Sequence, residues 1–236
     1  MAIISSEYRN QAYSYVAFFD LDRTIIKAVS GKALAKRAFK KGLMNISDMV
    51  IALYLGLAYR IGLADPVKIM GRMLGWVKDL PEQELKDLCA EVLSEDLLPS
   101  VHSEVYDELK MHKSKNARIV ILSSSLEQIC QGVADRLKMD GIICSKLEVS
   151  NGHLTGLPEG NLCYGQEKLV RLKEYCEKNN NKTEDSWYYG DSISDLPALE
   201  VVGNPVCINP DRQLRKKAAA KGWKIYGWNQ NRNKIK

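Results

Sequence analysis

Five short, nearly unbroken apolar runs constrain this chain more than any other feature. They lie at residues 15–19, 118–122, 141–144, 186–189 and 206–208. Each is too short for a helix and lacks the in–out alternation of a half-exposed strand. Such runs read as strands buried on both faces. Between most of them lie segments with apolar residues at helical spacing, at 103–113, 126–138 and 167–178. Strands that alternate with helices predict an α/β fold, a Rossmann-like parallel sheet with helices on both faces.

Two regions depart from that rhythm. Residues 146–155 alternate in polarity around Asn151-Gly152. Asn-Gly supplies the positive φ angles of a type I′ turn, so a β-hairpin is predicted there, extending from the sheet at its edge. Residues 30–98 carry no clear strand signal and read as helices at 31–40, 47–60, 65–78 and 81–94. Asp65-Pro66 offers an N-cap followed by proline at the first helical position. Leu85, Leu88, Cys89, Val92 and Leu93 form one apolar face. The expected organisation is a core of residues 12–29 and 99–230, with an all-helical cap at 30–98 inserted after the first strand.

Composition narrows the function classes. The 236 residues are 45% hydrophobic and 27% charged, enough for one core without disulfide or metal staples. The net charge of +5 comes partly from a cationic tail at 212–236. That is too diffuse for the basic stripe of a nucleic-acid binder. The six cysteines lack C-x-x-C spacing and read as small buried hydrophobes in a reducing compartment. His102, His112 and His153 lack zinc-ligand spacing. Glu7 and Arg9 interrupt the N-terminus before any signal-peptide core develops, and the longest uncharged stretch, 49–59, falls short of the ~20 residues of a membrane span. A cytoplasmic location is expected.

Four motifs carry the chemistry. Phe18-Phe19-Asp20-Leu21-Asp22-Arg23-Thr24 places two carboxylates two residues apart at the carboxyl end of a buried strand, so both face one ligand. One such carboxylate can attack phosphorus while the other protonates the leaving alkoxide and then activates water. In Tyr189-Gly190-Asp191-Ser192-Ile193-Ser194-Asp195 a second strand runs into acids. Asp191 together with Asp20 offers hard oxygen ligands to Mg²⁺, which reverses the repulsion between clustered carboxylates and a phosphate. Asp195 also suits a helix N-cap. The strand ending in Ser123-Ser124-Ser125 precedes a helix whose free N–H groups suit an anion, with Ser123 as the phosphate ligand; a plain serine N-cap explains this segment equally. Lys168 starts a helix before the fourth strand and can pair with a nucleophile and a phosphate.

As an ordered set, D-x-D-x-T at 20–24, the strand-end Ser123, Lys168 and G-D-S-x-x-D at 190–195 resemble the haloacid dehalogenase-like phosphatases, over residues 13–228. The helical interval after the first motif resembles their phosphoserine-phosphatase-like branch. That resemblance implies Asp20 as nucleophile, Asp22 as general acid/base and Lys168 as a third catalytic residue. It also implies Mg²⁺ held by Asp20, the Asp22 backbone carbonyl and Asp191, with Asp195 supporting the metal's water shell. Ser123, Ser124, Arg23 and Thr24 fall to the phosphate and substrate, Thr24 by steadying the loop. Asp22 sets the chain apart from the dehalogenases, which lack a second aspartate. Arg23 in place of a small residue, Ser124-Ser125 in place of Gly-Gly and Ser194 in place of asparagine imply a substrate other than phosphoserine.

The expected activity is Mg²⁺-dependent hydrolysis of a small phosphorylated metabolite, phosphoserine- or histidinol-phosphate-like, through an aspartyl phosphate. The runner-up is a lipid phosphatase (lysophospholipid or phosphatidylglycerol phosphate) or a phosphotransferase using the same covalent step. Lys36, Arg37, Lys40, Arg60 and Arg72 are candidate anion contacts in the cap, each also readable as a solvated surface residue. The apolar stretch 49–58 reads as a buried cap helix or a cap-mediated homodimer contact in preference to a lipid-facing surface. The chain is accordingly expected as a monomer or such a dimer, without nucleic acid.

Overall fold

The computed structural model describes residues 13–48, 50–51 and 74–228. Residues 52–73, on which most of the helices expected at 47–60 and 65–78 fall, lie outside the described residues, as do the Asp65-Pro66 cap, Arg60 and Arg72. No helix among the described residues is long and apolar enough to cross a membrane.

Six strands form one sheet: β1 (Tyr15–Phe19), β2 (Ala117–Leu126), β3 (Gly141–Ser145), β6 (Trp187–Gly190), β7 (Asn204–Ile208) and β8 (Lys224–Tyr226). Their spatial order is β3-β2-β1-β6-β7-β8, and every pairing is parallel. The chain starts in the middle, builds outward on one side, then crosses β1 to build the other. The carboxyl ends of β1, β2 and β6 therefore flank the point where the winding reverses, where open α/β sheets bind their ligands.

Residues along each strand divide between two apolar clusters. Val16, Phe18, Val120, Leu122 and Tyr188 face one, while Ala17, Phe19, Ile119, Ile121 and Tyr189 face the other. This is why the strands read as unbroken apolar runs: both pleat faces are covered. Helices α3 (Ser103–Ser114) and α4 (Glu127–Leu137) cover the Phe19 face through Val105, Leu109, Ile129 and Val133. Helices α5 (Gln166–Lys178), α6 (Leu196–Leu199) and α7 (Arg212–Ala220) cover the Phe18 face through Leu172, Ala198 and Leu214.

Between β1 and β2 the regular elements among the described residues are helical. Helix α1 (Ser30–Lys40) and helix α2 (Glu82–Val92) bury Leu34 and Ala38, and Leu85, Leu88, Cys89 and Val92, in the same cluster as α4. The face predicted for α2 is the buried one, with Leu93 passing into a π-helical turn over Leu93–Leu97. Arg37 does not wait for a substrate anion: its guanidinium bonds Glu95 at 2.7 Å and Asp96 at 2.8 Å.

Three details differ from the sequence reading. The hairpin of β4 (Leu147–Ser150) and β5 (His153–Pro158) has Asn151 and Gly152 at φ 50° and 79°, as a type I′ turn requires, but it is a separate two-stranded sheet. Its outer edge pairs with the chain leading into α2: the amides of Asp79 and Glu82 donate to the carbonyls of Leu154 and Gly152, and the amide of Leu154 donates to that of Leu80. A free edge satisfied by the nearest extended backbone explains the change. The strand at 118–122 continues through all three serines to Leu126, with its pairing to β3 irregular between Leu122 and Leu126. β8 was missed because, as an edge strand of three residues, it is only half covered.

Candidate active site

The first motif turns sharply as soon as β1 ends. The Leu21 carbonyl accepts from the amides of Thr24, Ile25 and Ile26. The Asp20 amide still donates to Tyr189, so Asp20 is the last residue held in the sheet. Its side chain is buried at the rim and meets a lysine from α5. Lys168 Nζ donates to Asp20 Oδ1 at 2.7 Å, to Asp195 Oδ1 at 2.6 Å and to Tyr188 Oη at 3.1 Å. Tyr188 Oη itself donates to Asp195 Oδ1 at 2.8 Å. Asp195 Oδ2 accepts from the amides of Asp191 and Ser192, and a capping box with Ser192 fixes the turn.

Gly190 makes that turn possible. A Cβ there would lie 2.7 Å from Asp195 Oδ2, so any larger residue displaces the carboxylate that holds Lys168.

Carboxylate oxygens of Asp20, Asp191 and Asp195 lie within 4.8 Å of one another, all three buried. Burial raises Asp20 to about 7, helped by Asp195 and opposed by Lys168. Burial, then Asp195 and Asp20, raises Asp191 to about 9. Burial lowers Lys168, but Asp195 and Asp20 outweigh it and leave the ammonium charged. One buried lysine and one rim arginine, whose Nη1 stands 3.7 Å from Asp191 Oδ2, face three acidic side chains, Asp20, Asp191 and Asp195. That surplus of hard, negative oxygen fits a divalent cation such as Mg²⁺. Asp195 has both oxygens engaged by Lys168, Tyr188 and amides, which leaves Asp20 and Asp191 as the better carboxylate ligands.

The Asp22 carboxylate faces elsewhere. Its Oδ1 accepts from the Ser30 amide at 2.9 Å and its Oδ2 from the Ser30 hydroxyl at 3.1 Å, at the first turn of α1. Burial raises Asp22, and the two Ser30 bonds oppose that rise. The Ser30 hydroxyl also meets Ser125 Oγ at 2.8 Å, and Ser123 Oγ lies 3.4 Å from Ser125 Oγ. A hydroxyl chain thus links Asp22 to the buried Ser123. Ser124 is half-buried and lines a cavity shared with Asp22. Arg23 sits at φ 59° with a half-exposed side chain at the rim. The Thr24 hydroxyl is buried without a hydrogen-bond partner among the described residues.

Asp20, Lys168, Asp191 and Asp195 therefore cluster at one point of the rim, while Asp22 and Ser124 line a neighbouring cavity to which Ser123 is joined through Ser125. Sequence reasoning missed two residues and the hydroxyl of a third. Ser30 carries no motif and reaches Asp22 only through the turn at 21–29. Ser125 is expected from the sequence to offer only its backbone N–H to a phosphate, and its hydroxyl's links to Ser30 and Ser123 leave no sequence signal. Tyr188 lay inside an apolar run, where its hydroxyl gave no signal.

The haloacid dehalogenase-like hydrolase family model matches residues 17–200. A probable phosphatase of Mycobacterium tuberculosis is 32% identical over 91% of this chain and 75% of its own length. Among solved structures, a Bordetella pertussis protein of unknown function superposes with TM-score 0.82 at 24% identity, covering 91% of this chain and 99% of that one. A phosphoserine phosphatase holding an analogue of its phospho-aspartyl intermediate superposes with TM-score 0.68 at 16% identity, covering 90% and 92%. With its fold of the phosphoserine-phosphatase kind and its acidic hollow at the switch point, this chain belongs to the haloacid dehalogenase-like hydrolase family.

Proposed function

We propose that this protein is a Mg²⁺-dependent phosphomonoester hydrolase that works through an aspartyl phosphate on Asp20. The observation that carries the proposal is the buried Lys168 ammonium between Asp20 and Asp195, with Asp191 in the same hollow and Asp22 alongside. The 32%-identical relative named as a probable phosphatase points the same way.

In this reading Lys168, Ser123 and the backbone amide of Ser124 hold the phosphate. Asp20, Asp191 and the Asp22 backbone carbonyl would hold Mg²⁺, which would supply positive charge against the charge that builds on the transferring group. The Asp20 carboxylate attacks phosphorus, its new O–P bond forms, and the bond to the alcohol oxygen breaks. Asp22 gives that oxygen its proton. Its raised affinity for a proton suits a general acid, and Ser30 fixes its orientation. Asp22, now a carboxylate, takes a proton from water, whose oxygen displaces Asp20 from phosphorus and releases inorganic phosphate. Lys168 favours the carboxylate form of Asp20 before attack and steadies it as a leaving group in the second half. Arg23 is proposed to contact the phosphate or the substrate from the rim, and Thr24 to brace the loop. Residues 30–98 act as the cap that closes over the hollow and chooses the alcohol.

The test is turnover of p-nitrophenyl phosphate by the full chain with Mg²⁺ and with EDTA, followed by acid quenching and mass analysis. Turnover that needs the metal, with the Asp20 peptide gaining one phosphoryl group, is expected. Metal-independent turnover without a modified Asp20 peptide overturns the mechanism.

A further inference from the structure

Asp22, two residues beyond Asp20, also lines a cavity of about 280 Å³ between α1, α4 and the segment before α2. Asp22, Ser30, Ser124 and Ser125 form its polar end. The rest is apolar, with Val29, Leu34, Met44, Trp76, Leu126 and Leu162 among the walls. Among its described lining residues Asp22 is the only ionisable one.

The position of Asp22 identifies the occupant. The acid that protonates the leaving oxygen must stand beside that oxygen, so the alcohol part of the substrate fills the space beyond Asp22. An ammonium or carboxylate on that alcohol would give up water among aliphatic and indole surfaces, with no charged group among the described lining residues but Asp22 itself. Unpaired charges are strongly disfavoured there. An alkyl or aryl group does not meet that difficulty.

We infer that the substrate is a phosphate monoester of a compact apolar alcohol, alkyl or aryl, and not of an amino acid or amino alcohol. The inference rests on the phosphatase reading and sharpens it. Benzene occupies a cavity of ~150 Å³, so this one suits on the order of a dozen carbon atoms. The chemistry fits a soluble ester and the first atoms of a membrane lipid alike.

The deciding experiment is kcat/KM of the full chain, with Mg²⁺, for ethyl, butyl, hexyl and octyl phosphate, whose leaving groups have near-equal basicity. O-phosphoserine and phosphoethanolamine serve as charged comparators. A second arm uses phosphatidic acid in phosphatidylcholine vesicles. We expect kcat/KM to rise about fourfold per added methylene until the cavity fills, the equivalent of ~0.8 kcal/mol per buried methylene. Both charged esters should fall below butyl phosphate. Vesicle substrate turned over faster than octyl phosphate assigns the alcohol to a lipid; the reverse order assigns it to a soluble ester. A profile flat in chain length, or phosphoserine or phosphoethanolamine ahead of butyl phosphate, overturns the inference and leaves the phosphatase reading standing. No turnover of any ester overturns both.

Discussion

Tyr188 and Tyr189 are neighbours in β6, yet their hydroxyls enter two different buried networks on opposite faces of the sheet. Tyr188 joins Lys168, Asp20 and Asp195. Tyr189 donates to Glu108 at 2.7 Å and meets His112 Nε2 at 2.8 Å, and His112 Nδ1 meets the Tyr15 hydroxyl at 2.9 Å. Since Tyr189 gives its proton to Glu108, His112 Nε2–H must donate to it and Nδ1 must accept from Tyr15. Burial, with Lys115 nearby, pushes His112 down to about 4, so the ring is neutral at pH 7. One network holds formal charges in excess, and the other closes on a neutral imidazole among four aromatic rings. The lesson is physical. A network built on a neutral imidazole, whose one carboxylate, Glu108, is only part-buried, can be satisfied by the fold and solvent, whereas the other keeps a deficit of positive charge that suits a cation and an anionic substrate.

The largest effect should come from Asp20→Asn. Turnover should fall by ~10⁴-fold or more, because the amide cannot form the acyl phosphate. The metal-free variant should nevertheless be more stable than the parent at pH 8. Asp20 and Asp191 bind protons more tightly folded than unfolded. Their contribution to stability is complete below about pH 4 and is lost as pH rises through about 7 and then about 9. Thermal melts in EDTA should show the parent weakening across that window. The Asp20→Asn substitution should raise Tm at pH 8 by ~3 °C or more, the equivalent of about 1 kcal/mol in a domain of this size. A lower Tm would mean that no charge deficit exists.

His112→Ala breaks the other network. It removes a fully buried ring, leaves the Tyr15 hydroxyl without its His112 partner and leaves the Tyr189 hydroxyl with Glu108 alone. Denaturant unfolding should report a loss of about 2–4 kcal/mol, with kcat unchanged. A large fall in kcat at wild-type stability would merge the two networks into one.

The smallest and sharpest contrast is Tyr188→Phe against Tyr189→Phe. Each deletes one hydroxyl, worth about 1 kcal/mol in hydrogen bonding. The change at Tyr188 should lower kcat by ~10-fold, because Lys168 and Asp195 lose a shared partner. The change at Tyr189 should lower stability by about 1 kcal/mol and spare kcat. Equal effects on both readouts would sink the comparison.

The readable part of the molecule was its rim. Strands buried on both faces announce themselves as apolar runs, and acids at their ends stand out against that background. Asp20, Asp22 and Asp191 were legible for this reason, and Lys168 only once the order of motifs was considered. Ser30 and Tyr188 were not legible, since their roles arise from where a turn and a neighbouring helix bring them. The hairpin's turn was visible in Asn151-Gly152, but its partner was not, because backbone pairing leaves no trace in side-chain identity. β8 shows the same limit at the sheet's edge.

That pairing bears on how the pocket can be retuned. The stretch bearing Trp76 and Val77 leads into residues 79–82, which hang from the hairpin by amide–carbonyl bonds, with Leu80 packed in the same apolar cluster as Leu154. Such bonds tolerate almost any side chain, so substitutions on the hairpin's outer face leave the Trp76 wall where it is. Adding or deleting a hairpin residue shifts the register and carries the wall with it. Length changes in this loop, more than replacements in the lining, are thus the economical route by which descendants of this fold would widen or narrow the space for an alcohol.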